Sequence, residues 1–162
     1  MKAMILAAGY GKRLLPLTKD TPKPLLKVGN KTLIERNINN LLESGFSEIV
    51  INVSHLSKLI EGHVKEKFPK NNILFSFEER PLGTGGGVLK ALNILGAEPF
   101  LLINSDIYHC ISFMNLPKTT EAAHLIGVPN PDHNRNGDFS IKNENMVEVQ
   151  DGLNELTWSG IS

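Results

Sequence analysis

The feature that most constrains the fold of this chain is a repeated alternation between short apolar runs and amphipathic helical segments. Four apolar runs predict buried strands at residues 2–8, 48–53, 73–77 and 100–104. Helical spacing of apolar residues predicts helices at residues 32–44, 55–68 and 85–95. Because strands that are apolar throughout are buried on both faces, this order predicts an α/β fold whose parallel sheet is covered by helices on both sides.

The last third of the chain has a different pattern. Short apolar runs predict strands at residues 122–128, 139–142, 146–149 and 156–161, and a polar loop at residues 129–137. These strands are expected to add mixed or antiparallel pairing to the mostly parallel sheet. A length of 162 residues suggests a single domain, residues 1–162, with one hydrophobic core.

Composition and charge argue against several classes of protein. Lys and Arg together number 17, as do Asp and Glu, so the formal net charge is zero, and the basic surface of a nucleic-acid-binding protein is not expected. No apolar run approaches the ~20 residues needed to span a bilayer, so no membrane segment is expected. Cys110 is the only cysteine, which excludes an intrachain disulfide and favours a reducing cytoplasm. The sequence leaves a homodimer open.

The segment after the first predicted strand, residues 6–23, has the composition of an anion-binding loop. Gly9 and Gly11 allow backbone N–H groups to approach a ligand closely. Lys12, Arg13 and Lys23 can bring positive charge to the same place. Two flanking prolines restrict the backbone on either side of Lys23.

Two common phosphate-binding motifs do not describe this loop. The P-loop pattern fails on its spacing, and Leu14 stands where the dinucleotide pattern requires a third glycine. A tight turn with solvated basic residues is the structural alternative.

Two further segments are candidates for ligand contact. Gly-rich residues 81–87 lead into a predicted helix, whose N-terminus favours an anion; the alternative is a helix start capped by Thr84. Asp106 follows a buried strand and suits Mg²⁺, which takes one or two protein carboxylates together with substrate phosphates. The alternative for Asp106 is a turn residue. The five histidines have no metal-ligand spacing, so no zinc is assigned.

Two sequence patterns together resemble the signature of sugar-1-phosphate nucleotidyltransferases. They are L-A-A-G-x-G-x-R-L-x-P-L-T at residues 6–18 and T-P-K-P-L at residues 21–25. The resemblance covers essentially the whole chain. It implies a Rossmann-like, three-layer domain that transfers a nucleoside monophosphate from a nucleoside triphosphate to a sugar 1-phosphate and releases pyrophosphate.

The resemblance also implies roles for individual residues. Arg13 would hold the β- and γ-phosphates, Lys23 the attacked α-phosphate, and Asp106 the Mg²⁺ ion; these three form the catalytic set. Asn104 and Asp138 would contact the sugar. Ser105 departs from the glycine that is common at this position. The residues expected to bind the nucleotide are Leu6, Ala7, Ala8, Gly9, Gly11, Lys12, Arg13, Lys23, Glu78 and Gly83.

Within the family, the Gly-Gly-Gly variant at residues 85–87 looks closest to N-acetylmuramate-1-phosphate uridylyltransferases of peptidoglycan recycling. Guanylyl transfer to mannose 1-phosphate and thymidylyl or uridylyl transfer to glucose 1-phosphate are the alternatives within the class. A non-catalytic nucleotide-binding regulatory module and an unrelated α/β domain are the alternatives outside it. The family pattern continues with a second metal-binding Asp further downstream, so the chain is expected to be truncated and its turnover weak or absent.

Overall fold

The computed structural model of the protein describes residues 1–117, 119–120, 122–143 and 146–162. It divides the chain into two units, Met1–Thr120 and Glu121–Ser162. One domain over residues 1–162 stays a prediction.

The first unit contains the predicted strand–helix alternation. Its strands are β1 (Lys2–Leu6), β2 (Lys27–Val28), β3 (Lys31–Thr32), β4 (Glu48–Val53), β5 (Asn72–Phe77) and β6 (Phe100–Asn104). Its helices are α1 (Leu33–Glu43), α2 (Ser57–Lys67) and α3 (Gly83–Leu95), with single turns of 3₁₀ helix at Lys12–Leu14, Lys23–Leu25 and Phe113–Asn115. Every strand and helix predicted in this part is present, with ends that differ by at most two residues.

The start of α3 differs from its prediction. The helix begins at Gly83, and its N-cap is Leu82, which makes no side-chain capping bond. Thr84 therefore lies inside the first turn, and its interpretation as the N-cap is wrong.

The main sheet has the strand order β5–β4–β1–β6, and every neighbouring pair is parallel. In this sheet β4 and β5 follow one another on one side of β1, and β6 then pairs with the other side of β1. Strand order thus reverses at β1, where Leu6 is in register with Asn104. Ligands of open parallel sheets bind outside the carboxyl ends of the strands at such a switch point.

Both faces of this sheet are buried. Met4 and Val50 pack against Ala91 and Leu95 of α3 on one face. Neighbouring side chains of a strand point to opposite faces, so the fully buried Ile5 points to the other face. The predicted parallel α/β architecture with three layers is confirmed.

The second unit contains short antiparallel strands, as predicted. They are β7 (Gly127–Pro129), β8 (Ser140–Asn143), β9 (Met146–Glu148) and β10 (Leu156–Trp158), with a 3₁₀ turn at Asp132–Asn134. β7 pairs with β10, and β8 pairs with β9.

The strand predicted at residues 122–128 is mostly wrong. The ladder with β10 starts only at Gly127, which is in register with Trp158. Residue 126 bonds to residues 159 and 161 by isolated hydrogen bonds, without a continuous ladder. The predicted strand at 156–161 ends at Trp158 for the same reason.

Helix α1 begins with a capping box formed by Thr32 and Glu35. The Thr32 hydroxyl accepts from the Glu35 N–H at 3.2 Å, and the Glu35 carboxylate accepts from the Thr32 N–H at 2.6 Å. Burial raises the pKa of Glu35, but the hydrogen bonds from Thr32 and the positive charges of His63 and Lys67 outweigh it, so the pKa is lowered. A carboxyl whose pKa is lowered by folding stabilises the folded state once it is ionised.

This capping box predicts a pH-dependent contribution to stability. The contribution of Glu35 is present above the pKa of an unfolded glutamate, about 4.3, and is lost as the pH falls through the lower folded pKa. We therefore expect urea unfolding to give Glu35→Gln a lower free energy of unfolding than the wild type at pH 6. The difference is expected to shrink toward pH 3. Glu43→Gln, at the exposed end of the same helix, is the control. A difference in unfolding free energy between Glu35→Gln and the wild type that did not change with pH would contradict the prediction.

Candidate active site

A cavity of about 330 Å³ lies at the carboxyl ends of β1 and β6, where the strand order reverses. Its walls are the loop after β1, the Lys23 turn, the start of α3 and the loop after β6. The lining residues are Leu6, Ala7, Ala8, Gly9, Gly11, Lys12, Arg13, Leu14, Lys23, Pro24, Asn52, Pro81, Gly83, Thr84, Asn104, Ser105 and Asp106.

The loop after β1 has a backbone conformation that requires glycine at residue 11. Gly11 has φ +65°, and an added Cβ would lie 3.0 Å from Thr18 Cγ2 and 3.3 Å from Lys23 Cβ. Thr18 is buried, and its hydroxyl donates to the Gly11 carbonyl at 2.9 Å. Gly11 thus brings the backbone of this loop directly against the Lys23 segment.

Free backbone donors face the cavity from the same loop. Within the described residues, the N–H groups of Gly9 and Gly11 donate to no protein acceptor. Phosphate oxygens are suitable acceptors for such N–H groups.

Lys23 and Asp106 meet in the cavity although 83 residues separate them in the chain. The Lys23 ammonium donates to Asp106 Oδ2, and both side chains are only partly exposed. The fold therefore places the predicted α-phosphate contact and the predicted metal ligand at one point. The opposite charges of these two groups compensate each other.

The loop that carries Asp106 is held by an asparagine of α1. Asn37 is buried, and its Nδ2 donates to the carbonyls of Ser105 at 3.1 Å and Ile107 at 3.5 Å. Asn40, one turn later, donates to the Ile111 carbonyl at 3.2 Å. The backbone on both sides of Asp106 is therefore fixed to α1.

Two exposed cations of the loop after β1, Lys12 and Arg13, also line the cavity. Lys12 Nζ lies 5.2 Å from the centre of the Tyr10 ring, a distance suited to a cation–π contact. Arg13 has no ion-pair or hydrogen-bond partner among the described residues. With Lys23 and Asp106, the described lining has three cations and one carboxylate, a balance that suits a polyanionic ligand.

The cavity fits a magnesium ion only in part. Within the described ranges, no group of three or more His, Cys, Asp or Glu side chains converges. Asp106 supplies one carboxylate, and Mg²⁺ commonly binds through one or two carboxylates plus substrate phosphates. A single acidic residue beside a loop with free N–H groups and cations is compatible with that mode of binding.

His109 lies three residues after Asp106, and its contacts are with residues of its own loop. Burial lowers the pKa of His109. The centre of its ring lies 5.1 Å from the centre of the Phe113 ring, and its Nδ1 accepts a hydrogen bond from the Ile111 N–H. These contacts stabilise the loop.

A family model described as nucleotidyl transferase matches residues 2–149. The chain belongs to the nucleotidyl transferase family. The resemblance identified from the two sequence patterns is thereby confirmed, and the protein is an enzyme of this class.

Similar proteins of known name are sugar-1-phosphate nucleotidyltransferases. An N-acetylmuramate alpha-1-phosphate uridylyltransferase of Neisseria meningitidis is 44% identical over 99% of this chain and 74% of its own length. A mannose-1-phosphate guanylyltransferase catalytic subunit of Drosophila pseudoobscura is 38% identical over 71% of this chain. The chain spans only 32% of that second relative.

Solved structures show the same fold. HddC from Yersinia pseudotuberculosis, complexed with GMP-PN, matches with a TM-score of 0.80 and 28% identity over 99% of this chain and 74% of its own. A putative glucose-1-phosphate thymidylyltransferase from Bacillus anthracis matches with a TM-score of 0.84 at 22% identity, over 99% of this chain and 70% of its own. At that identity, the second match supports the fold alone.

The nucleotidyl transferase cavity gathers most of the residues predicted from sequence. They are Leu6, Ala7, Ala8, Gly9, Gly11, Lys12, Arg13, Lys23, Gly83, Asn104 and Asp106. Their contacts with a nucleotide or sugar stay a prediction.

Two residues with predicted ligand contacts are not among those that line the cavity. Glu78 is buried behind the lining, where its carboxylate accepts from Asn52 and from the Leu82 N–H. Asp138 lies in the second unit and accepts from the Trp158 N–H at 2.8 Å and from Asn134 at 3.0 Å. Both oxygens of each carboxylate are therefore engaged within the protein.

Several lining residues had no individual role predicted from sequence, and Asn52 is the most informative of them. Asn52 is a buried amide near the end of the apolar strand β4. A polar residue near the carboxyl end of an otherwise apolar strand is a signal that could have identified it. The other lining residues without an individual predicted role are Leu14, Pro24, Pro81, Thr84 and Ser105, of which Leu14, Pro81 and Thr84 lie in the two predicted segments.

Proposed function

We propose that this enzyme transfers UMP from UTP to N-acetylmuramate 1-phosphate, giving UDP-N-acetylmuramate and pyrophosphate. The observation that carries the proposal is the 44% identity to the Neisseria meningitidis uridylyltransferase over 99% of the chain. The cationic cavity at the switch point is compatible with a triphosphate. A cytoplasmic role in peptidoglycan recycling is part of the proposal.

The proposed reaction is a displacement at phosphorus. An oxygen of the sugar 1-phosphate attacks the α-phosphorus, a new P–O bond forms, and the bond to the bridging oxygen of the β-phosphate breaks. The attacking oxygen is already anionic, so no strong general base is required. Catalysis consists of positioning the two substrates and stabilising charge that develops in the transition state.

The described residues supply these functions in the proposal. The N–H groups of Gly9 and Gly11 bind phosphate oxygens, Arg13 binds the β- and γ-phosphates, and Lys23 stabilises the charge on the α-phosphate. Asp106 would hold a Mg²⁺ ion, which supplies further neutralisation of phosphate charge when bound. Asn37 keeps the Asp106 loop in position.

A second candidate is guanylyl transfer to mannose 1-phosphate. It is favoured by the identity to the Drosophila pseudoobscura guanylyltransferase and by the likeness to HddC, which was solved with GMP-PN. The two candidates differ in the nucleobase and in the sugar, so both can be tested directly.

The test measures nucleotide preference and product formation on the same protein. Melting temperatures are recorded with UTP, GTP, CTP or dTTP at equal concentration with Mg²⁺. Labelled UTP or GTP is then incubated with each sugar 1-phosphate at stoichiometric enzyme, so that even slow transfer is detected. We expect the largest stabilisation with UTP, and labelled UDP-N-acetylmuramate as product.

Each alternative has its own outcome in this test. A larger shift with GTP and transfer to mannose 1-phosphate would support the guanylyltransferase. Triphosphate binding with no transfer to any sugar phosphate would support a regulatory module. If no triphosphate stabilised the protein, nucleotide binding itself would be refuted.

A further inference from the structure

Three consecutive hydrogen bonds cross the sheet behind the cavity. The Ala7 N–H donates to Asn52 Oδ1 at 2.8 Å, and Asn52 Nδ2 donates to Glu78 Oε1 at 2.7 Å. Glu78 Oε2 accepts from the Leu82 N–H at 2.8 Å. These bonds follow the strand order β1–β4–β5 and connect the loop after β1 with the loop that leads into α3.

Both side chains are buried and hydrogen-bonded within the protein. Asn52 and Glu78 are 2% and 5% exposed, and each oxygen of the Glu78 carboxylate has a donor. A carboxylate is costly to bury unless it is hydrogen-bonded, so this arrangement strongly favours one orientation of both groups. The Asn52 amide cannot rotate without placing its NH₂ group against the Ala7 N–H.

Helix α3 approaches this pair closely enough to require a glycine. A Cβ at Gly87 would lie 2.6 Å from Asn52 Nδ2 and 2.9 Å from Glu78 Oε1. Gly87 does not line the cavity. Its lack of a side chain is therefore explained by the hydrogen-bonded pair and not by space for a ligand.

We propose that Asn52 and Glu78 are positioning residues. Their hydrogen bonds hold the phosphate-binding loop at Ala7 in a defined position relative to the Leu82–Gly83 segment, which also borders the cavity. The two loops contribute to the cavity from β1 and from α3, so a shift of either one changes the site. In this role Glu78 acts through Asn52 and Leu82 instead of contacting the nucleotide. The inference rests on the proposed nucleotidyl transfer.

A pair of substitutions can reverse the polarity of the central bond. In Asn52→Asp with Glu78→Gln, the new aspartate accepts from Ala7 and from the glutamine NH₂, and the glutamine oxygen accepts from Leu82. All three hydrogen bonds and the total charge are then retained. Each single substitution instead places two carboxylates, or two donors, against each other.

We expect each single variant to lose about tenfold to a hundredfold in kcat/KM for the triphosphate, the loss typical of unsatisfied buried groups. The double variant is expected to recover most of that loss. Rates are measured well below the melting temperature of every variant, so that loss of folded protein does not contribute. A role in stability alone would lower melting temperatures and leave kcat/KM unchanged.

Gly87→Ala provides a test that keeps both polar side chains. The added methyl group is expected to displace the pair and to lower kcat/KM in the same way. Gly62→Ala in α2 is the matched control, because a Cβ there meets no atom within 4 Å.

Two results would overturn the proposal. One is wild-type kinetics in the folded single variants and in Gly87→Ala. The other is a double variant as impaired as Glu78→Gln, which would show that the three hydrogen bonds do not set the geometry of the site. If the wild-type chain bound no triphosphate, the proposed function would fail instead, so the two failures are distinguishable.

Discussion

Replacing Lys23 by methionine is expected to lower the rate of nucleotidyl transfer on the order of 10²–10³-fold, the loss typical of removing one preorganised group that stabilises developing charge. Methionine keeps most of the length of the side chain and removes the ammonium group. Lys23 is held against the Gly11 backbone and Asp106, so a mobile lysine elsewhere is poorly placed to replace it. Single-turnover transfer from labelled UTP measures the effect.

The control for this variant is Lys19→Met. Lys19 belongs to the same segment but is exposed and does not line the cavity. The Lys19 variant should transfer at the wild-type rate. Equal rates for Lys23→Met and the wild type would remove Lys23 from the proposed mechanism.

Replacing Asp106 by asparagine is expected to abolish the stimulation of transfer by Mg²⁺ and to lower the rate on the order of 10²–10³-fold. The substitution removes the carboxylate that would hold the ion. It also releases Lys23 from its ion pair, so Lys23 becomes free to bind phosphate. Triphosphate affinity without metal is therefore expected to be unchanged or higher in Asp106→Asn, whereas in Lys23→Met it is lower.

A titration with UTP in EDTA and in excess Mg²⁺ separates the two variants. Asp20→Asn, an exposed carboxylate outside the cavity, serves as the control and should respond to Mg²⁺ like the wild type. If Asp106→Asn kept the full effect of Mg²⁺, the ion would have to be held elsewhere.

The segments that could be predicted from sequence are those whose structure depends on residues close to them in the chain. β4 and β6 match their predicted bounds because apolar residues dominate both segments. α1 has both an apolar stripe and a capping box, which are local signals. The strand predicted at 122–128 was wrong, because its extent depends on the position of β10, about thirty residues later in the chain.

No helix in the described part of the chain is long and apolar enough to cross a membrane.

The residues of the candidate site also divide into those that local motifs identify and those whose position depends on distant contacts. The glycines, Arg13 and Lys23 could be assigned from sequence, because two local motifs contain them. The orientation of Glu78 could not be predicted by this means, because a motif indicates that a carboxylate is near the cavity but not which way it points. Its orientation depends on donors from Asn52 and Leu82.

The order of strands and helices and the chemistry of the loop after β1 could be predicted from sequence, because both depend on residues close together in the chain. The contact of Lys23 with Asp106, the bonds from Asn37 to the Asp106 loop and the partners of Glu78 became known only from the folded chain. A polar group that is largely buried takes its position from its hydrogen-bond partners. In this protein those partners belong to different elements, which are the Lys23 turn, α1, β4 and the loops after β5 and β6, and only the tertiary structure brings them together.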